Sequence, residues 1–214
     1  MKSNPEGKPT EPLLMTVGGL KGGTGRSTTA VFLALSIHQA TGEPVLLVDA
    51  DDKNGTAYEW SEDAGESWPT GVSTLYWPSM NLAKRIKDLD PSGHIVIDTG
   101  NNAAILRQAL RVTGNLIIPL APTGTESTRL TPTLEAAAEV TEDRPVTLSV
   151  LLSRTVPRTN SRTQARTALT EAGITVLDTE IPRREMYSQA FGTVPNDLGA
   201  FPEALTEITE RNRA

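Results

Sequence analysis

A glycine-rich turn near the amino end of the chain limits the folds that the chain can adopt. The stretch 17–29 reads VGGLKGGTGRSTT, and it joins an apolar run at 13–17 to a helical pattern at 30–37. Glycines allow successive backbone N–H groups to converge, and the start of a helix adds partial positive charge. A strand, such a turn and a helix in this order predict a phosphate-binding loop. Ser27 stands where a hydroxyl would ligate Mg²⁺.

The composition narrows the classes of function. The 214 residues carry a net charge of −6 and contain no cysteine. Disulfides, thiolate metal sites, iron–sulfur clusters and cysteine nucleophiles are therefore excluded, and any contact with nucleic acid must come from a local basic patch. No apolar run approaches the roughly 20 residues that span a bilayer. We expect a cytoplasmic protein with a disordered tail at 1–12 and a single domain at 13–214.

Short apolar runs alternate with helical patterns along the rest of the chain. The predicted strands are 13–17, 45–48, 72–76, 94–100, 115–120, 146–152 and 174–177. Continuous apolar runs are typical of strands that are buried on both faces of a parallel sheet. Their alternation with helices predicts βαβ crossovers. We therefore expect an α/β fold with one doubly wound, mostly parallel sheet and helices on both faces.

Three aspartates follow predicted strands. Asp49 and Asp51 follow the run at 45–48, and Asp98 follows the run at 95–97. Ligands of open α/β sheets bind outside the carboxyl ends of the strands, so position alone makes these acids candidates for a site. An aspartate at the end of a strand can instead cap the next helix, and the sequence leaves both interpretations open.

The phosphate loop departs at two positions from the general pattern Gly-x-x-x-x-Gly-Lys-Ser/Thr. Leu20 replaces the first glycine and Arg26 replaces the lysine. What remains resembles the deviant Walker A box of the ParA/MinD ATPases, and Lys21 occupies the position of that family's signature lysine. The resemblance runs from about residue 14 to residue 205 and is nearest to the short plasmid-partition ParA branch, which includes ParF. It implies a P-loop NTPase fold of the deviant Walker A class.

The resemblance also implies the roles of the site residues. Lys21 would act in trans on the nucleotide of a partner subunit, and Asp51 would act on the attacking water while Asp49 has a structural role. Ser27, Asp98 and Asp51 would hold Mg²⁺ or its water shell. The residues implied to bind ATP or ADP are Lys21, Gly22, Gly23, Thr24, Gly25, Arg26, Ser27, Thr28, Asp49, Pro182 and Arg183.

Two departures from the family pattern bear on catalysis. Arg26 would act in cis and keeps a permanent charge, but its planar fork is not the flexible point charge of a lysine. Asp52 and Lys53 replace the proline and glutamine that usually follow the acidic pair. We therefore expect a Mg-dependent ATPase with a slow basal rate.

Local charge predicts where DNA would bind. Residues 144–184 contain seven arginines and three acidic residues, and the candidates for DNA contacts are Arg158, Arg162, Arg166, Arg183 and Arg184. The first three are spaced four apart, so they share one face where the segment is helical. Guanidinium groups with few aromatic neighbours suit contacts with phosphates and not the reading of bases. A solvated helix face is the alternative.

The resemblance implies a ParA-like ATPase that partitions plasmid or chromosomal DNA. Such a protein forms a homodimer on binding ATP, binds DNA without sequence preference and hydrolyses ATP when a ParB-like partner stimulates it, so nucleoid association is expected. Membrane recruitment is not expected, because acidic residues in the last helix, 201–211, would repel anionic lipid. The alternative is a weakly hydrolysing, nucleotide-responsive binding or regulatory protein of the same fold.

Overall fold

The computed structural model describes residues 11–123 and 130–212, in which strands and helices alternate. The strands are β1 Leu14–Val17, β2 Val45–Asp49, β3 Val72–Tyr76, β4 His94–Asp98, β5 Asn115–Leu120, β6 Thr147–Thr155 and β7 Ile181–Pro182. The helices are α1 Arg26–Thr41, α2 Thr56–Ala64, α3 Leu82–Leu89, α4 Ala103–Thr113, α5 Thr131–Thr141, α6 Asn160–Glu171, α7 Glu185–Ser188 and α8 Phe201–Arg211. A short 3-10 turn, Gly65–Ser67, follows α2.

The seven strands form one parallel sheet in the order β3-β2-β4-β1-β5-β6-β7. Apolar side chains from both faces of the sheet are buried under helices. One layer includes Phe32 of α1, Trp60 of α2 and Phe201 of α8. The opposite layer is divided between a cluster around Leu106 and Leu116 and a second cluster under α3 and α4. The predicted α/β fold, with helices on both faces of a parallel sheet, is confirmed.

The sheet order determines which strand ends meet. β1 lies between β4 and β5, and β4 also pairs with β2. The turn that follows β1 therefore lies beside the carboxyl end of β4, next to that of β2. Asp49 and Asp98 are directly opposite each other in the β2–β4 register. The strand order thus brings the glycine-rich turn and both acidic strand ends to one edge of the sheet.

The last part of the sheet differs from the prediction. Residues 174–177 form only an isolated bridge between Val176 and Val150, and the seventh strand is Ile181–Pro182. The segment before β7 is held by a helix instead: Glu207 of α8 accepts the backbone N–H groups of Asp178 and Thr179, at 2.7 and 2.9 Å. Because the Glu207 side chain accepts both N–H groups, they do not pair with β6, and the pairing resumes at Ile181.

The predicted tail and the search for membrane-spanning helices both depend on which residues the structure describes. The disordered tail was predicted at 1–12, and 1–10 of it lies outside the described part. Residues 11 and 12 have no regular secondary structure and lead into β1. Within the described ranges, no helix has the length and apolar character that crossing a bilayer requires.

Candidate functional site

The glycine-rich turn leads directly into α1. Gly25 is the N-cap and adopts a left-handed conformation with φ 87°, which a residue without a Cβ adopts without strain. No side chain caps the helix, and its first turn contains no acidic residue. A Cβ built on Gly22, Gly23 or Gly25 would meet no atom within 4 Å, so the turn borders open space. The first N–H groups of α1 and the helix dipole therefore offer an anion a place to bind.

Arg26 is held by the turn itself. Its Nη1 donates to the carbonyl of Gly19 at 2.8 Å and to the carbonyl of Lys21. Arg26 is only 9% exposed, and its positive charge opposes the rise that burial causes in the pKa of Asp98. Lys21 itself is half-buried at the head of the turn. The two cations of the loop are therefore linked, because the side chain of one binds the backbone of the other.

The carboxylate of Asp49 is buried and satisfied by backbone groups. Its Oδ1 accepts the N–H of Asp51 at 3.0 Å, and its Oδ2 accepts the N–H of Tyr58 at 3.0 Å. Burial raises the pKa of Asp49, and these N–H donors oppose the rise. Asp49 therefore joins β2 to the loop that follows and to the first turn of α2.

Asp98 lies opposite Asp49 but lacks such partners. Its side chain is 1% exposed, and neither carboxylate oxygen has a hydrogen bond of normal geometry. Burial raises the pKa of Asp98 to about 8, and the charge of Asp49 adds to the rise. The Ser27 hydroxyl is close enough to favour the charged form and opposes this change. A buried carboxylate that is costly to ionise beside an open anion cradle is suited to a cation that arrives with the ligand.

Asp51 is the third acid at this edge. It is 5% exposed, and its Oδ1 accepts the N–H of Lys53 at 2.9 Å while its Oδ2 accepts from Asn54 at 3.2 Å. A Cβ on Gly100 would lie 2.5 Å from Asp51 Oδ1, so only glycine permits this approach. The acidic loop after β2 is thereby packed against the end of β4, which carries Asp98.

A cavity of about 680 Å³ opens between the turn and β7. The turn and the start of α1 form one wall, and Pro182 and Arg183, both predicted from the sequence, form part of the other. The complete lining is Gly23, Thr24, Gly25, Thr28, Thr29, Ser153, Arg154, Ile181, Pro182, Arg183, Arg184, Glu185, Tyr187, Ser188 and Phe201. Such a volume lies in the range of ligand sites.

The sequence analysis missed several residues of this cavity. Arg154 is the residue before the last one of β6, so the strand-end rule that selected the aspartates could also have selected it. Tyr187 and Phe201 carried no comparable signal, because their rings meet edge to face at 5.7 Å only after the chain has folded back. Both residues line the cavity.

The predicted arginine stripe is corrected by the structure. Arg158 lies before α6, which begins at Asn160, and adopts φ 61°, so it does not share a helix face with the other two. Arg162 and Arg166 both bind Glu180, at 2.5 and 2.9 Å, and the Glu180 side chain is 9% exposed. Arg166 also donates to the carbonyl of Leu177. Contacts within the fold thus hold two of the predicted DNA-binding arginines.

A magnesium site of this kind need not be built from protein ligands alone. Among residues 11–123 and 130–212, no group of three or more His, Cys, Asp and Glu side chains could hold a metal ion. Mg²⁺ keeps several waters and is commonly bound through one or two carboxylates plus the phosphates of a substrate. The unpartnered oxygens of Asp98, with Ser27 nearby, fit that mode.

Comparisons with known proteins agree with this geometry. Residues 15–193 match the family described as "CobQ/CobB/MinD/ParA nucleotide binding domain". The chain is 29% identical over 185 residues to "Protein ParA" of Rhizobium radiobacter, which covers 83% of this chain and 82% of that protein. It is 26% identical over 180 residues to "Maintenance of carboxysome distribution protein A" of Halothiobacillus neapolitanus, with 82% of each chain covered.

A solved structure of another protein has a similar fold. Cobyrinic acid a,c-diamide synthase from Mycobacterium smegmatis, with bound ADP and magnesium, has a TM-score of 0.76 to this chain. The likeness covers 95% of this chain and 96% of the synthase at 16% sequence identity. At this identity the comparison shows a shared fold, and the argument for chemistry depends on the site itself.

Proposed function

Since the chain belongs to the CobQ/CobB/MinD/ParA nucleotide-binding family, we propose that it is a ParA-type ATPase that positions a cargo on DNA. One observation carries the nucleotide part of this proposal. Both oxygens of the buried Asp98 carboxylate lack hydrogen-bond partners, and they lie beside an open glycine-rich loop. A Mg²⁺-nucleotide would supply a cation to that carboxylate and an anion to the loop.

The residues of the site have separate tasks in this proposal. The loop from Lys21 to Thr28 binds the phosphates, and Pro182 and Arg183 contact the base side of ATP or ADP. Ser27 and Asp98 hold Mg²⁺, which when bound offsets the charge that develops on the phosphates. Asp49 keeps the acidic loop in place through the N–H groups of Asp51 and Tyr58.

Hydrolysis requires a positioned water, and Asp51 is the residue we assign to it. Its carboxylate is fixed from two sides by Lys53 and Asn54, so it can orient a water without moving. It also shares the Mg²⁺ water shell in our assignment. Asp51→Ala should keep nucleotide binding and lose hydrolysis, whereas a loss of binding would place Asp51 in the metal shell alone.

We propose that ATP activates the protein by joining two subunits in a dimer. Lys21 would contact the nucleotide of the partner subunit when two carboxyl edges meet. Lys21→Ala should bind nucleotide but remain monomeric in a sizing experiment with a non-hydrolysable ATP analogue. Nucleotide-dependent dimers of this variant would remove the trans role.

For DNA, we propose contacts through the exposed arginines at the carboxyl edge. Arg158, Arg183 and Arg184 are exposed, whereas Arg162 and Arg166 would first have to leave the nearly buried Glu180. Removing them would leave Glu180 as an unpaired buried charge, which is strongly unfavourable. If a dimer neutralises about six phosphates, log K against log salt should have a slope near −5.

Arg158→Glu tests this surface without touching the cavity lining. Since Arg158 is exposed, the substitution should weaken DNA binding while nucleotide-dependent dimerisation stays the same. Arg85→Glu, on the exposed face of α3, is the matched control. Equal losses in both variants would mean that overall charge, and not this surface, controls binding.

The cargo and the partner are proposed more broadly than plasmid partition. The relatives bear the names of a ParA protein and of a carboxysome distribution protein, so the cargo could be DNA or a protein assembly. We propose a cytoplasmic, nucleoid-associated protein whose ATPase is stimulated by a ParB-like partner bound to that cargo. If a small DNA-binding protein is encoded beside this gene, it is the first partner to test.

A weakly hydrolysing regulatory protein is the second candidate, and one observation favours it. Nη1 of Arg26 is occupied by loop carbonyls, so less of its charge can follow the γ-phosphate. Steady-state ATP hydrolysis, measured alone, with DNA, and with DNA plus the partner, separates the candidates. Stimulation by DNA and partner supports the positioning ATPase, and a uniformly low rate with nucleotide-dependent dimers supports the regulator.

A further inference from the structure

Arg26 uses one nitrogen to bind two carbonyls of the same loop. Nη1 donates to the carbonyls of Gly19, at 2.8 Å, and Lys21. This nitrogen carries two hydrogens, so both are directed at the loop. The three remaining N–H groups of the guanidinium belong to Nε and Nη2. The side chain can therefore hold the loop with one end of its fork and still present donors at the other.

The two carbonyls lie on either side of Leu20, which has an anchor of its own. The N–H of Leu20 donates to Oγ1 of Thr133 on α5 at 3.0 Å, and Thr133 is 1% exposed. The C=O of a residue and the N–H of the next point in opposite directions across a trans peptide. Arg26 and Thr133 therefore hold the peptide between Gly19 and Leu20 from opposite sides.

The same geometry reaches the part of the loop that would meet phosphate. By binding the carbonyl of Lys21, Arg26 sets the direction of the next peptide N–H, that of Gly22. Gly22 is exposed, and a Cβ there would meet no atom within 4 Å, so the side of the loop that Gly22 presents is open. The hydrogen bond from Arg26 to the carbonyl of Lys21 therefore helps to orient this peptide.

From these contacts we infer that Arg26 is a positioning residue of the loop: Nη1 binds the head of the loop, which leaves the donors of Nε and Nη2 for the phosphates of the proposed nucleotide. The inference depends on the nucleotide site proposed above. A lysine could not serve both ends, because its ammonium is a single point of charge. The arginine gains a preformed loop and gives up the freedom to follow the γ-phosphate during hydrolysis.

Amide hydrogen exchange of Leu20 in the nucleotide-free protein tests the tie directly. In Arg26→Lys, we expect the Leu20 amide to exchange about tenfold faster or more, because hydrogen bonds from a charged donor are lost. Arg144→Lys is the matched control, since Nη1 of Arg144 likewise donates to two carbonyls, those of Arg111 and Val112, at the end of α4.

The two variants should give opposite patterns. Arg144→Lys should speed exchange of Gly114, whose N–H closes the end of α4 at 2.8 Å from the carbonyl of Leu110, and leave Leu20 unchanged. Arg26→Lys should speed Leu20 and leave Gly114 unchanged. If Leu20 exchanges at the wild-type rate in Arg26→Lys, the tie is refuted, whatever nucleotides do.

Steady-state kinetics distinguish a positioning role from a merely stabilising one. In Arg26→Lys, KM for ATP should rise about threefold or more because the loop must be ordered on binding. The rate constant kcat should rise as well, because the lysine can follow the γ-phosphate. A change in KM alone would overturn the second half of the inference. Wild-type protein that fails to bind Mg-ATP would refute the proposed function and leave the exchange result standing.

Discussion

β2 and β4 both end in a buried aspartate, but only one of the two aspartates has hydrogen-bond partners. Asp49 and Asp98 face each other in register, and both are almost fully buried. Backbone N–H groups of Asp51 and Tyr58 satisfy Asp49, whereas the oxygens of Asp98 have no partner of normal geometry. A buried polar group without partners is unfavourable by about 1–3 kcal/mol. Asp49 therefore contributes to the fold as it stands, whereas we propose that Asp98 holds a cation that arrives with the ligand.

The largest expected effect is the stabilisation of the protein by a bound nucleotide, part of which should require Asp98. A nucleotide at about 100 times its Kd should stabilise the protein by about 2.7 kcal/mol, which is several degrees of Tm at about 2–4 °C per kcal/mol. Asp98→Asn should lose most of the part that requires Mg²⁺, since the neutral amide lacks the charge with which the carboxylate attracts the cation. Thermal unfolding with ATP, with and without Mg²⁺, measures this, and Asp88→Asn on the exposed face of α3 is the control. A full Mg²⁺ effect in Asp98→Asn would remove Asp98 from the site.

The next effect concerns Asp49 in the absence of any ligand. Asp49→Asn places an NH₂ group against one of two backbone N–H donors, so it should lower the free energy of unfolding by about 2 kcal/mol. Urea denaturation gives the value. A variant as stable as the wild type would mean that these two hydrogen bonds contribute little.

The pH dependence of stability sharpens the comparison further. The pKa of Asp98 is raised from 3.8 to about 8 by burial, so the folded state favours the protonated form. The wild type should therefore lose stability relative to Asp98→Asn as pH rises from about 4 to about 8, with no further change above that. Urea denaturation without ligand, at several pH values between about 4 and about 8, should show the free energy of unfolding of Asp98→Asn rising relative to that of the wild type as pH rises. A difference that is constant with pH would contradict this.

The smallest effect lies at the opposite edge of the sheet, at His94. Its Nδ1 accepts the N–H of Leu13 at 2.9 Å, and its Nε2 lies 3.3 Å from a carboxylate oxygen of Glu43. Burial lowers the pKa of His94, and Glu43 opposes the change. The neutral ring is the folded form, so its contribution is complete above about pH 6.5 and is lost as pH falls.

Thermal unfolding between pH 7.5 and pH 5 should show this loss, at less than about 1 kcal/mol. In His94→Asn, whose side-chain oxygen can accept the same N–H, the pH-dependent part should disappear. His38→Asn controls for the other histidine, which is half-buried. If both variants keep the wild-type pH profile, another group causes it.

The sequence predicted those features that depend on the local pattern of residues. Alternating apolar runs predicted the parallel sheet, and the rule that ligands bind at the carboxyl ends of strands selected Asp49, Asp51 and Asp98. The family resemblance is confirmed by the match over residues 15–193. The individual roles of these residues stay predictions until they are measured.

The sequence could not predict contacts between residues that are far apart in the chain. Thr133 meets Leu20 across 113 positions, and Glu180 binds arginines 14 and 18 positions earlier. Charge counting put Arg162 and Arg166 among the candidates for DNA contacts. It could not show that both bind Glu180, because a count does not reveal which acid lies near which arginine. The two-residue strand Ile181–Pro182 is likewise too short for any pattern to indicate.

The sequence alone therefore determined that a phosphate loop, a parallel sheet and acids at its carboxyl edge occur together. Glycine spacing and apolar runs act over a few residues, and parallel crossovers leave few alternative arrangements. Only the tertiary structure decided that Asp49 is satisfied, that Asp98 is not, and that Arg26 holds its own loop. The physical reason is that burial and hydrogen-bond partners are properties of the packed molecule, and identical side chains become different groups when folding brings them different neighbours.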